Sequence, residues 1–161
     1  MKFTALRLNH IAEAVRSLSE TARVRLSTML HRRQPEFCEI IDEVGLDYRC
    51  LAAHRFCTSF CAIALRHAEQ VTRRSAPIYK GTTIHELAGL VRRGEQTRIG
   101  KRACGYRKSI RRHALTNMGF DEDDTAWLCT IISAFLFLIE ETVGAFNRRI
   151  RASGHRHKVA E

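Results

Sequence analysis

Nine lysines and arginines crowd into residues 92–113, which read RRGEQTRIGKRACGYRKSIRRH. They are Arg92, Arg93, Arg98, Lys101, Arg102, Arg107, Lys108, Arg111 and Arg112, and Glu95 is the single acid among them. The whole chain has 27 basic and 17 acidic side chains and a formal charge of +10, so this run holds most of the excess. Cations at this density repel one another unless an anion stands between them. A sugar–phosphate chain supplies anions at regular intervals, and neutralising them gives affinity without any reading of base sequence. The nine cations are therefore the expected binding site, and RNA or DNA backbone the expected ligand.

A second set has metal-ligand chemistry. Cys50, His54, Cys57 and Cys61 recur at helical steps of four, three and four, and thiolate and imidazole are the ligands zinc prefers. One straight helix places the ends of that set about 16 Å apart, so it cannot close a tetrahedron by itself. Free cysteines also pack as small hydrophobes, and buried packing is the expectation. The acids Asp121, Glu122, Asp123 and Asp124 come from one short run and suit a helix N-terminus. His155 and His157 belong to a basic tail. The chain has no phosphate-binding Gly-rich loop, nucleophile elbow or His-Glu-x-x-His pair. No catalytic residue, metal or cofactor is assigned, and the chain is expected not to be an enzyme.

Helices must position these groups. Only two prolines and nine glycines interrupt a chain that is 45% apolar, and apolar residues recur near every 3.6 positions. The expected fold is all-α: a single-domain bundle of about five to six helices over residues 1–151, with a flexible basic tail at 152–161. Residues 4–31 read as one long helix with Leu8, Ile11, Val15, Leu18, Ala22, Arg25 and Met29 along its stripe. Pro35 opens a second, burying Phe37, Ile40, Ile41 and Val44. A third runs from an Asp47 cap to about Arg73 and is apolar around most of its girth, which places it in the middle of the bundle. Residues 74–82, with Pro77 and Gly81, form a linker between two sub-bundles.

Thr83 and Glu86 form a capping box for the next helix, closed by Gly94. From Arg98, a helical rotation puts Ile99, Ala103, Tyr106, Ile110 and Ala114 on one buried arc. Most of the cations fall opposite, together with Cys104 and Leu115, and Gly100 and Gly105 are candidate break points. Asn117-Met118-Gly119 ends this segment. The last helix carries Leu128, Ile131, Phe135, Ile139, Val143, Phe146 and Ile150. Its most apolar run, residues 126–139, is shorter than a bilayer span, and the N-terminus lacks a signal-peptide run. With irregularly spaced cysteines, a reducing cytoplasm and no membrane partner are expected.

Two stretches resemble known families. Residues 82–132 are similar to the small-subunit family of multi-subunit (class 1) CRISPR effector complexes. The matching features are Thr83-Ile84-His85-Glu86-Leu87-Ala88, the arginine-rich Arg98 to Arg112, and Asp123-Asp124-Thr125-Ala126-Trp127-Leu128. The resemblance implies a non-catalytic, multicopy subunit of a ribonucleoprotein. It implies that Arg98, Lys101, Arg102, Lys108, Arg111 and Arg112 face a guide–target duplex or a displaced strand. Arg49 and His54, in RCLAAH, match the Arg-x4-His pattern of the HEPN family of helical ribonucleases. That pattern implies an arginine steadying phosphate while a histidine moves a proton. The remaining alternative is a basic adaptor docking on an acidic protein surface.

Overall fold

From Leu128 to Ile139 every side chain is buried, whichever way it points. A helix enclosed on all sides has to be the centre around which the others pack. It belongs to the last of eight helical segments among the described residues: α1 (Ala5–Arg16), α2 (Glu20–Arg33), α3 (Pro35–Glu43), α4 (Leu51–Thr72), α5 (Ile84–Arg93), α6 (Arg98–Cys104), α7 (Arg107–His113) and α8 (Glu122–Ala160). This computed structural model describes residues 2–43, 51–72, 84–94 and 97–160, with side-chain surroundings for 2–41, 51–71, 86–94 and 97–143. The fold is all-α. Taking α6 and α7 as halves of one broken rod gives seven helices, slightly more than the five to six expected. The Asp47 start of the third helix, the 74–82 linker and Thr83 of the capping box lie outside the described residues.

Helix α8 packs against α4, α5, α6 and α7, while α4 packs against α1, α2 and α8. The centre is thus shared by α4 and α8, not held by α4 alone. Phe37 of α3 meets Phe135 of α8 with ring centroids 4.3 Å apart, and Phe56 of α4 meets Phe120 at 5.8 Å. Such buried ring pairs add roughly 0.5–1.5 kcal/mol beyond the area they bury. Among the described residues, Glu122–Val143 has the length and composition to cross a bilayer, yet most of it is covered by the rest of the fold. Within the expected tail, the backbone of 152–160 continues α8 as helix.

The N-terminal segment corrects the expectation of one long helix. Thr4 caps α1 by accepting from the Arg7 N–H, and α1 ends at Ser17. Ser19 then adopts an extended conformation and accepts from the Ala22 N–H at 3.2 Å, which starts α2. A hydroxyl that captures a backbone N–H competes with the next turn of helix, so the Ser19 cap outweighs apolar periodicity, while the Ser17 hydroxyl donates back to the Glu13 carbonyl at 3.0 Å. The break also resets the stripe. Leu8, Ile11, Ala12 and Val15 are buried in α1, but α2 buries Leu26 and Leu30 and leaves Arg25 exposed.

Candidate nucleic-acid interface

The basic run is divided by three local devices. Gly94, at φ +61°, ends α5 through a Gly94 N–H to Val91 carbonyl bond of 3.2 Å. An L side chain is strained at that φ, so glycine fits. Thr97 starts α6 by accepting from the Gly100 N–H at 3.1 Å. Gly105 ends α6, its N–H bonded to the Arg102 carbonyl, and α7 begins after Tyr106. A Cβ at Gly105 would come within 3.1 Å of that carbonyl oxygen, so the bend closes more tightly than most residues allow. Asn117 and Gly119 both take positive φ and turn the chain into α8, capped by Asp121 accepting from the Asp124 N–H at 2.8 Å.

Apolar contacts hold these pieces in place. Gly100, Ala103, Tyr106, Ile110 and Ala114 are buried, as is Leu115, which sequence rotation puts on the basic side. Ile99, expected to be buried, is 42% exposed. The bend at Gly105 explains why a single straight rotation fails at its two ends. Tyr106 anchors the bend. Its hydroxyl donates to Glu140 Oε2 at 2.9 Å and accepts from the Phe3 N–H at 3.3 Å, and its ring meets Phe3 edge-on. Burial pushes its phenol above the ordinary range.

The bend leaves an open concavity of about 610 Å³ between α6–α7 and the start of α8. Lys101, Arg107, Lys108 and Arg111 line it, with Gly94, Cys104, Gly105, Ala126 and Cys129 as the rest of its wall. These four cations come from two helices and reach one space because the rod is broken between them. Lys101 and Lys108 are exposed, and Arg107 is half-buried. Arg111 forks onto the Glu122 carboxylate at 2.8 and 3.3 Å. That contact raises the guanidinium pKa and holds the Glu122 carboxyl below the usual carboxylate range. Burial pushes the Cys129 thiol up, while the Arg111 and Arg107 guanidinium groups oppose the shift.

The other five predicted cations take different places. Arg102 turns to α8, where it pairs with Glu141 at 2.8 Å and lies over the Phe137 ring at 5.4 Å. Arg92 lies over the Trp127 ring, 5.1 Å from its centroid. Arg93, at the exposed end of α5, has its guanidinium beside Gly89. Arg98 and Arg112 are exposed and do not line the concavity. Linear charge density therefore overstated the uniformity of the face, since Glu122 and Glu141 approach only through the fold. Trp127, the ring that Arg92 meets across the fold, stands in the sequence as a lone tryptophan just after an acidic helix start.

The ribonuclease pair is not assembled by the described geometry, because Arg49 lies outside the described residues, as does Cys50. His54 is half-buried in a groove of about 260 Å³ between α2 and α4, with Glu20, Arg23, Arg55, Thr58 and Ser59. Arg55 faces Glu20 at 3.6 Å, and Arg23 Nε is buried without a hydrogen-bond partner among the described residues. Cys57 and Cys61 are buried, and Cys57 and Cys38 lie close enough to act on the Cys61 thiol, which burial pushes up strongly. Among the described residues no group of three or more His, Cys, Asp and Glu side chains could hold a metal. No protein-family model, curated protein or solved structure matches the chain.

Proposed function

We propose that this protein is a non-catalytic helical subunit that holds a nucleic-acid backbone in the concavity of α6–α7 and α8. The supporting observation is the convergence of Lys101, Arg107, Lys108 and Arg111 on one open space. Lys101, Arg107 and Lys108 have no carboxylate partner among the described residues. Arg111 is already oriented by Glu122, and its planar fork suits phosphate oxygens as well as it suits a carboxylate. Such contacts position a strand and carry no sequence preference. The class of assembly follows the resemblance of residues 82–132. On this reading the chain is a multicopy ribonucleoprotein subunit of the CRISPR effector kind, working in the cytoplasm beside other protein subunits.

The test is the ratio of absorbance at 260 and 280 nm for protein purified at low salt, before and after a high-salt wash. Nucleic acid should co-purify, leave on washing, and return on dilution into low salt with any sequence offered. Protein that emerges free of nucleic acid and binds none at low salt refutes the reading and favours an adaptor for acidic proteins. A hydrolytic reading has one supporting feature, the cations Arg23 and Arg55 in the same groove as His54. Loss of RNA cleavage on His54→Ala, with binding retained, would establish it.

A further inference from the structure

We infer that Arg92 and Trp127 form a stacking ledge at the edge of the basic concavity, which takes an unpaired base and makes a single strand the preferred ligand. The inference rests on the phosphate-binding reading above and names the class of nucleic acid it takes. Arg92 is exposed at the end of α5, and Trp127 is half-buried in the second turn of α8. The guanidinium carbon sits 5.1 Å from the indole centroid, so one face of the cation is covered by the ring. A guanidinium held in this way presents its other face to a flat partner, and bases stack on arginine planes as they do on aromatic rings. The ledge adjoins the concavity by chain connectivity on both sides. Arg92 is two residues before Gly94, Trp127 is next to Ala126, and Gly94 and Ala126 both line the concavity.

Charge near the ledge sorts the parts of a nucleotide. Asp123 is exposed and Asp124 half-buried, one turn before Trp127 on α8. Carboxylates there repel a phosphate and tolerate a neutral base, while Lys101, Arg107, Lys108 and Arg111 draw the phosphates into the concavity that they line. A duplex hides its base faces in the stack and gains nothing from the ledge. An unpaired base can turn onto it while its flanking phosphates stay with the cations.

Trp127 is the chain's single tryptophan, so its emission reports the ledge directly. The full chain is titrated with inorganic polyphosphate, a short single-stranded adenine oligonucleotide and a duplex of matched length. All three should bind, and only the single strand should quench Trp127 emission. Arg92→Lys keeps the charge and loses the plane. It should weaken single-strand binding roughly ten-fold, within the range of one base–aromatic contact, and move polyphosphate binding by less than about two-fold. Trp127→Phe keeps a ring in the fold and should weaken single-strand binding by less than Arg92→Lys. Binding of all three probes with unchanged emission, or single-strand binding equal in Arg92→Lys and the parent, overturns the ledge and leaves the phosphate reading standing. No binding by any probe overturns both.

Discussion

Replacing Lys101 and Lys108 together by glutamine removes two of the four cations that line the concavity. Both side chains are exposed, so the fold should be unaffected and the change should appear in binding alone. A single strand neutralised by four cations should show a log–log salt slope of about −2.8, and with two cations about −1.4. Between about 50 and 200 mM salt, the parent should lose roughly 50-fold in affinity and the double variant roughly seven-fold. Fluorescence anisotropy of a labelled oligonucleotide across that range measures both slopes. Arg25→Gln with Arg32→Gln is the matched control, because both are exposed on α2, which packs against α3 and α4. An unchanged slope in the Lys101/Lys108 variant, or an equal fall in the control, refutes the reasoning. In the first case the cations do not touch phosphate; in the second the attraction belongs to net charge and not to a site.

Five further outcomes follow from the same geometry. Glu122→Gln should tighten polyphosphate binding by roughly two- to five-fold, as it frees the Arg111 fork and removes an anion from the rim; titration at constant salt checks this. The Glu122 carboxyl pKa is lowered in the folded state, so the pair's stabilising contribution is present above the ordinary carboxylate range. It is lost as pH falls through the lowered value, and thermal melts of the parent and Glu122→Gln should converge in acid. Arg102→Ala should lower stability by about 1–2 kcal/mol, since it strands the half-buried Glu141, and should leave the salt slope unchanged. Tyr106→Phe should cost about 1–3 kcal/mol, because the Phe3 N–H and the Glu140 carboxylate both lose their partner; urea unfolding measures it. Among the described cysteines, Cys104 should be alkylated first in native protein and protected by polyphosphate, since it is half-buried in the wall of the concavity. Cys57 and Cys61, fully buried, should react only on unfolding, which peptide mapping reads.

The all-α character and several helix ends are local properties of the sequence. Pro35, Gly94, Asn117, Gly119 and Asp121 act through their own backbone or the next turn, so their effect is legible without knowing the fold. The break between Ser17 and Ser19 is local in the same way: the Ser19 hydroxyl takes the Ala22 N–H and overrides a continuous apolar period. The nine cations were legible as composition. Which of them share a space depends on the bend at Gly105 and on where α8 lies, and both are set by packing between helices. Glu122 and Glu141 claim Arg111 and Arg102 from another helix, and Trp127 takes Arg92 in the same way. Electrostatic and stacking partners are chosen by distance across the fold, and distance along the chain carries little of that information.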